Sequence, residues 1–243
     1  MNSAYFEQAL AVLQRIQATQ ASQIDSAAST IFNSLKEGGV LHIFGTGHSS
    51  AVVQEAFHRA GGLVPVNPML EPFLTPLVSP RKSGRLERID EIAPVLLDYY
   101  DLRAGESLVV ISNSGINPLP VEMAFQAKGR GLTVLAITSL AHSILVPSRH
   151  RSGKKLNEIA HIVIDNCGQP GDGSVSFPGL PEKVGPTSAL AGIFIINSLT
   201  CAIVQKYLEN GLIPPILISA NVPGGEEHNR KLEEKYRGRI KLL

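Results

Sequence analysis

The chain has 243 residues, of which 44% are hydrophobic, so it is long enough and apolar enough to bury a sizeable core. Its formal net charge is +1, from 22 basic and 21 acidic residues, and this balance does not favour nucleic acid or an anionic membrane surface as partner. Trp is absent and aromatic residues make up only 5%, which disfavours a stacking platform for single strands. We therefore expect neither nucleic acid nor a membrane among its partners.

The cysteines and the N-terminus indicate a cytoplasmic protein. Cys167 and Cys201 match no metal-ligand spacing and are too few for a disulfide framework. The first residues lack the basic stretch and apolar run of a secretory signal. The most apolar run, residues 189–204, is short for a bilayer and carries polar residues, so it is predicted to be a buried helix.

Hydrophobic periodicity divides the chain into alternating helices and strands. Helices are predicted over residues 4–36, 49–59, 86–100, 119–128, 187–208 and 225–237. Strands are predicted over residues 40–44, 63–66, 107–111, 132–137 and 159–164. Residues 67–85, which are interrupted by prolines, and residues 180–186 are predicted to be loops.

Strands that alternate with helices predict βαβ units, and hence an α/β fold with three αβα layers and a five-stranded parallel sheet. We expect one domain over residues 1–243. It comprises a core of about residues 35–210, a helical segment at 1–36 and a C-terminal extension at 211–243. Open parallel sheets bind ligands at the carboxyl ends of their strands, so the loops after the strands are the place to look for a site.

The loop after the first predicted strand runs from Gly45 to Ser50 and reads Gly-Thr-Gly-His-Ser-Ser. Its glycines allow a tight turn and a close approach to a ligand, and its hydroxyls can donate to phosphate oxygens. Position 50 is Ser, where a dinucleotide fingerprint needs Gly, and no Walker lysine follows. We predict that Gly47, Ser49 and Ser50 contact a ligand; the alternative is a tight structural connection.

The loop after the third strand carries the stronger signal. Ser112, Asn113, Ser114, Gly115 and Asn117 follow a buried strand directly, and no acid or base stands among them. Hydroxyl and amide donors without negative charge suit a phosphate dianion. The alternative is capping of the next helix, but capping accounts for one such residue and not for four. We predict that the two serines and the two asparagines bind phosphate.

These two loops resemble those of the SIS (sugar isomerase) family, over about residues 35–210. The family's second loop reads Ser-x-Ser-Gly-x-Thr, which Ser112, Ser114 and Gly115 match, whereas Asn117 stands in the place of Thr. In the first loop His48 takes a Thr place. The resemblance implies a flavodoxin-like fold, a phosphorylated sugar as ligand, no metal or other cofactor, and a homo-oligomer, either dimer or tetramer.

The pattern over the whole chain is similar to a bacterial subgroup of SIS proteins that are labelled phosphoheptose isomerases by resemblance only. The segments that carry this likeness are Lys82-Ser83, Leu86-Glu87-Arg88, Ser148-Arg149-His150, Gly153-Lys154, residues 163–167 and residues 185–188. In SIS enzymes the start of the last helix often reaches the sugar, which implies contacts from Thr187 and Ser188. Phosphoheptose isomerases place a His and a Glu where this chain has Glu55 and Arg59.

Aldose–ketose isomerisation needs a group that moves a proton between adjacent carbons. Our candidates are Glu55, Glu71 and His48. Each has a structural alternative: Glu55 and His58 suit an exposed helix pair, Glu71 a solvated loop carboxylate, and His48 a structural role. Glu87 is interpreted as a residue that the dipole favours at a helix start.

Two charged groups receive a structural interpretation. The basic run 149–155 is typical of a solvated loop, although it stands near the expected ligand edge, where it could bind a second anionic group. Asp165, Asp172 and Glu182 fit no known cation loop, so no metal is expected.

The sequence thus favours a sugar-phosphate isomerase or a related sugar-phosphate enzyme. Two alternatives stay open. One is a non-catalytic sensor that binds a sugar phosphate and regulates a partner. The other is a lyase or etherase that acts on an amino-sugar phosphate, although etherases of the family have Glu where this chain has Arg59.

Overall fold

The computed structural model describes residues 3–243, and its central element is a five-stranded parallel sheet. The strands are β1 (Leu41–Gly45), β2 (Val66–Met69), β3 (Ser107–Ile111), β4 (Thr133–Thr138) and β5 (Ile162–Asp165). Their order is β2-β1-β3-β4-β5. The chain therefore leaves β1 toward one edge and returns to β3 on the other side of β1, which opens a crevice at the carboxyl ends of these two strands.

Helices cover both faces of the sheet, as the α/β prediction requires. The helices of the described chain are α1 (Ser3–Lys36), α2 (Ser50–Ala56), α3 (Pro80–Leu86), α4 (Ile92–Tyr99), α5 (Pro118–Gly129), α6 (Leu140–Ser143), α7 (Leu156–Ile159), α8 (Ser188–Glu209) and α9 (Gly225–Glu233). Strand side chains alternate between the faces. Ile43 and Val109 pack with α1, α2 and α8, whereas Phe44 and Val110 pack with α4, α5 and α7. The three-layer prediction is confirmed.

The two long helices α1 and α8 pack against each other on one face of the sheet, through residues such as Ile31 and Ile195. Within residues 3–243, α8 alone is long and apolar enough to cross a membrane by length and composition. Its buried face belongs to the core cluster that α1 and the sheet complete, and a core helix passes the same test. The predicted helix is confirmed in position, and one of its faces is buried.

The sequence did not predict the β-hairpin that precedes α8. It consists of β6 (Gly173–Phe177) and β7 (Leu180–Pro186), which pair antiparallel. The loop prediction for residues 180–186 is wrong. β7 is mostly exposed, so no apolar alternation marks it, and its position depends on backbone pairing and on the Ser174 hydroxyl, which donates to the carbonyl of Gly185 at 2.7 Å.

The stretch predicted as a loop over residues 67–85 is largely ordered into short elements. It contains the end of β2, a 3₁₀ turn at Pro72–Leu74 and α3. Ser79 begins α3 because its hydroxyl accepts from the Lys82 backbone N–H at 3.3 Å, and Pro80 stands at the first helical position. The helix predicted over 86–100 starts only at Ile92, so the chain turns between α3 and α4.

Several further boundaries differ. The strand predicted over 159–164 begins at Ile162, after α7, and the helix predicted over 225–237 ends at Glu233. The helix predicted over 49–59 ends at Ala56, since Phe57 is extended and His58 has a φ of +46°. The strand predicted over 63–66 begins at Val66, because Leu63 forms a bridge with Ile216 outside the main sheet.

Candidate functional site

A cavity of about 320 Å³ lies at the carboxyl ends of β1 and β3, at the point where the strand order reverses. The loops after β1 and β3 and the start of α8 form its walls. The lining residues are Thr46, Gly47, His48, Ser49, Val52, Glu87, Ile111, Ser112, Asn113, Ser114, Asn117, Ile137, Asn166, Asp172, Ser188 and Ala189. The structure thus brings together most of the side chains that the sequence singled out.

The turn after β3 requires glycine at position 115. Gly115 has a φ of +64°, and a Cβ there would lie 2.9 Å from Thr138 Oγ1 and 3.4 Å from Leu156 Cβ. The Gly115 N–H donates to Ser112 Oγ at 3.2 Å, which closes the turn. A side chain at this position would strain the backbone and push the turn off β4.

The same turn presents an array of unpaired donors, which we call the N–H turn (residues 112–117). Within residues 3–243, the backbone N–H groups of Asn113, Ser114, Ile116 and Asn117 donate to no protein acceptor, and the Ser114 hydroxyl makes no hydrogen bond. Successive unpaired backbone N–H groups in a tight turn form a concavity that binds anions. The N–H turn is therefore suited to a phosphate group.

The loop after β1 folds back tightly on the other wall. A Cβ at Gly45 would lie 2.9 Å from the carbonyl oxygen of Ser49, so only glycine permits the 3₁₀ turn Gly47–Ser49. Ser50 is buried, donates to the Gly47 carbonyl at 2.7 Å and does not line the cavity. Ser49 does line it, and within the described chain its hydroxyl has no partner.

Glu87 is a carboxylate that lines the cavity beside the N–H turn. Its Oε2 accepts from Thr46 Oγ1 at 2.9 Å, and its Oε1 accepts from Asn117 Nδ2 at 2.8 Å. Burial raises the pKa of Glu87, and the Thr46 hydrogen bond and the charges of Arg88 and Arg149 offset this only in part. A carboxylic group with a raised pKa inside a polar cavity is a candidate for proton transfer.

Sequence reasoning missed Glu87 because it placed this residue at the start of a helix. The structure puts Glu87 at the C-cap of α3, where the helix dipole disfavours a carboxylate, so the dipole interpretation is wrong. The available signal was its place in the segment Leu86-Glu87-Arg88. What brings it to the cavity is the turn between α3 and α4, which the sequence did not reveal.

Asn117 uses both ends of its amide within the protein. Nδ2 donates to Glu87, and Oδ1 accepts from Arg149 Nη1 at 2.8 Å. Its side chain therefore has little capacity left for a phosphate, although its backbone N–H is unpaired. Asn113 is similar in that its Oδ1 accepts from Asn166 Nδ2 at 2.9 Å.

Asp172 is the other acid of the cavity wall, and it caps α8. Its carboxylate accepts from the N–H groups of Thr187 and Ser188 at 3.1 and 2.9 Å, and from the Ser188 hydroxyl at 2.5 Å. Ser188 lines the cavity with its hydroxyl already engaged. Thr187 is fully buried outside the lining, and within residues 3–243 its Oγ1 has no partner.

The other predicted acids and bases lie at different places. Glu55 pairs with Arg59 and accepts from Asn197 Nδ2 at 3.2 Å. Glu71 accepts from the Tyr100 hydroxyl at 3.0 Å, and both residues line a separate pocket. Neither glutamate lines the cavity, so the structure does not bring them together with the N–H turn. His48 does line the cavity and is exposed at its rim.

One further cluster of charged groups lies behind α5. Ligand atoms of Asp90, Glu122 and His150 lie within 4.8 Å of one another. His150 Nε2 is 2.6 Å from Glu122 Oε2, and Arg151 Nη2 donates to Glu122 Oε1 at 3.0 Å. The guanidinium takes a position that would repel a cation, so this cluster acts as a hydrogen-bonded anchor between α5 and the loop after α6.

Comparison with protein families and curated sequences identifies the relatives. The model of the SIS domain matches residues 4–139. A UPF0309 protein of Thermoanaerobacter pseudethanolicus is 43% identical over 243 residues, which cover 98% of this chain and 98% of that protein. A UPF0309 protein of Halalkalibacterium halodurans is 37% identical over 243 residues, which cover 100% of this chain and 97% of that protein.

Solved structures with the same fold include two phosphoheptose isomerases. Those from Francisella tularensis and Neisseria gonorrhoeae each superpose with a TM-score of 0.56, at 16% and 18% identity, and each match covers 84% of this chain and 96% of that chain. The Vibrio vulnificus NanR protein complexed with ManNAc-6P has a TM-score of 0.50 at 12% identity, covering 98% of this chain and 69% of that chain. At these identities the likeness shows the fold. With the domain match and the close relatives, it follows that the chain belongs to the SIS domain family and is a relative of the UPF0309 proteins.

Proposed function

We propose that the chain binds a phosphorylated sugar in this cavity and isomerises it between aldose and ketose forms, with Glu87 moving the proton. One observation carries the proposal: a turn with unpaired N–H groups and a carboxylic group of raised pKa line the same cavity. The first feature suits a phosphate, and the second suits proton transfer at a neighbouring carbon.

The phosphate would lie against the N–H turn. The unpaired backbone N–H groups of Asn113, Ser114 and Asn117, which line the cavity, and the hydroxyls of Ser114 and Ser49 offer donors from two walls. Among the described residues, no lysine or arginine lines the cavity. Neutral, pre-positioned donors hold an anion without the reorganisation that a flexible ammonium requires. Asn117 contributes its backbone N–H, since its amide is engaged with Glu87 and Arg149.

Glu87 can carry out the proton transfer without a cofactor. It would remove a proton from the hydroxyl-bearing carbon beside the carbonyl, leave an enediolate, and return the proton to the former carbonyl carbon, while a hydroxyl proton passes from one oxygen to the other. Because the pKa of Glu87 is raised, it lies closer to neutral pH, and a group with such a pKa can both accept and donate a proton. The imidazole of His48 stands at the rim of the cavity and is available to move a hydroxyl proton. The two phosphoheptose isomerase structures of the same fold are consistent with this chemistry.

Binding without turnover is the second candidate. The likeness to a NanR protein complexed with ManNAc-6P favours it, because that protein holds a sugar phosphate on the same fold. Etherase chemistry receives no support from the geometry, since Arg59 forms an ion pair with Glu55 away from the cavity.

A thermal-shift screen of sugar phosphates against the matching free sugars tests the binding part. We expect one ester to raise the melting temperature and its free sugar to leave it unchanged. Ser114→Asp should abolish the shift, since it places a negative charge against the phosphate. Ser22→Asp adds the same charge on the exposed surface of α1 and should bind as the unaltered protein does. Equal binding by both variants would place the ligand elsewhere.

Turnover is then followed by NMR on the ester that binds. Conversion to its isomer by the unaltered protein, lost in Glu87→Gln, supports the isomerase. An unchanged ester after hours with the protein supports a binding role instead. Conversion that persists in Glu87→Gln would move the proton-transfer role to His48 or to another residue.

The number of domains and the assembly of the chain are also proposed. We propose that it folds as one SIS domain and assembles as a homo-oligomer through the apolar helices at its two ends. A groove between α1 and α8, lined by Ile24, Phe194 and Ala202, is consistent with a contact there. Light scattering on the purified protein would measure the assembly.

A further inference from the structure

We propose that Arg149, which does not itself line the cavity, is a positioning residue that fixes the Glu87 carboxylate through the side-chain amide of Asn117. The inference deepens the proposed function and rests on it for its catalytic meaning. The geometry of the relay, however, can be tested without any substrate.

The relay consists of three side chains in sequence. Arg149 Nη1 donates to Asn117 Oδ1 at 2.8 Å, and Asn117 Nδ2 donates to Glu87 Oε1 at 2.8 Å. Thr46 Oγ1 holds the other carboxylate oxygen at 2.9 Å. Asn117 is buried, so its amide has few alternatives to these two partners.

The donor and acceptor inventory fixes the direction of this relay. A guanidinium can only donate, and an ionised carboxylate can only accept. The amide oxygen of Asn117 must therefore face Arg149, and its NH₂ must face Glu87. Without Arg149 the amide is free to rotate or to bind the ligand, and Glu87 loses the partner that orients its Oε1.

Hydrogen bonds hold the backbone around Arg149 in position. The Arg149 N–H donates to the Ile116 carbonyl at 3.0 Å, inside the N–H turn itself. The next residue, His150, is buried and lies 2.6 Å from Glu122 on α5, the helix that starts directly after Asn117. Hydrogen bonds therefore tie the loop that carries Arg149 both to the N–H turn and to α5, which keeps Arg149 close to Asn117.

Charge adds to the orientation. The charged groups that act on Glu87 are Arg88, its neighbour in the chain, and Arg149, while His48 and Asp172 line other walls of the cavity. Burial disfavours the ionised form of Glu87, and Arg149 opposes this from the solvent side. The relay thus holds Glu87 in a defined plane and favours its ionised form.

The test is a carboxyl ¹³C NMR titration of Glu87, with the signal assigned by its loss in Glu87→Gln. In Arg149→Met we expect the pH at the midpoint of the Glu87 titration to rise. In Arg149→Lys, which keeps a charge and a donor, we expect a smaller rise. Lys154→Met removes one charge from an exposed position of the same loop and should leave the midpoint unchanged. A midpoint in Arg149→Met equal to that of the unaltered protein overturns the proposal, as does an equal rise in Lys154→Met.

Asn117→Leu separates the relay from direct charge effects. If the amide transmits the effect, Arg149→Met shifts the midpoint less in the Asn117→Leu background than in the unaltered protein, because coupled residues are not additive. Full additivity would contradict transmission through Asn117. Arg149 is exposed, so its replacement does not threaten the core.

Ester binding and turnover supply a second readout. Arg149→Met should bind the ester within about threefold of the unaltered protein but convert it more slowly, with the acidic limb of its pH profile moved upward. Should no sugar phosphate bind the unaltered protein, the proposed function fails, and the Glu87 titration still decides the relay. Should the ester bind and convert normally in Arg149→Met with an unmoved pH profile, the relay fails and the proposed function stands.

Discussion

Gly115→Ala tests whether the N–H turn depends on glycine in the way that its geometry indicates. Two costs add at this position. A left-handed φ of +64° costs a residue with a Cβ about 1–2 kcal/mol. The new Cβ would also lie 2.9 Å from Thr138 Oγ1, a contact that must shift and costs about 1–3 kcal/mol. We expect a loss of about 2–5 kcal/mol in the free energy of unfolding.

A matched control isolates the backbone cost. Gly38 has a φ of +85°, and a Cβ there would meet nothing within 4 Å, so Gly38→Ala should cost about 1–2 kcal/mol. Urea unfolding followed by circular dichroism measures both variants. Thr138→Ala removes the clashing hydroxyl and should make Gly115→Ala less costly in the double variant.

The reasoning is refuted if Gly115→Ala costs no more than Gly38→Ala, because the close contact with Thr138 would then be absent in solution. The two variants should also differ in function. Gly38→Ala should keep the thermal shift with the sugar phosphate, whereas Gly115→Ala should lose it, since a displaced turn no longer aligns its N–H groups.

Two further predictions concern stability. Burial alone would raise the pKa of Glu106, but hydrogen bonds from His42 and Arg239 outweigh it and lower the pKa from 4.5 to about 2. This depressed pKa contributes about 3 kcal/mol of stability, which is fully present above pH 4.5 and is lost as the pH falls toward 2. Between these pH values the free energy of unfolding, measured with urea, should therefore fall by about 3 kcal/mol less in Glu106→Gln than in the unaltered protein. An equal fall in both proteins would contradict this prediction. Asp172→Ala should cost about 1 kcal/mol through loss of the α8 cap, whereas Asp172→Asn, which keeps an acceptor and tolerates the left-handed backbone, should cost less; equal losses would show that the cap is not made.

The sequence indicated the layers of the fold because strands buried on both faces read as short apolar runs. Val109 and Val110 illustrate this, since they pack on opposite faces and are both fully buried. The β6–β7 hairpin gave no such signal, because its second strand is mostly exposed and owes its shape to backbone pairing. Periodicity detects buried faces and misses ribbons that lie on the surface.

The site was predicted where its chemistry is local in sequence. Ser112, Ser114 and Gly115 stand within one turn, so their spacing alone indicates an anion site. Glu87 and Arg149 reach the site through tertiary contacts with a residue far away in the chain, Asn117. No spacing rule relates these three residues, so the sequence favours Glu55, Glu71 and His48 as candidates instead.

The most direct test of the central claim is a crystal structure of the protein soaked in the sugar phosphate that stabilises it. We predict that the phosphate lies against the N–H turn, within hydrogen-bond distance of the backbone N–H groups of Asn113 and Ser114, with the sugar carbons facing Glu87. Density for the ester at another place on the molecule, with this turn vacant, would contradict the account.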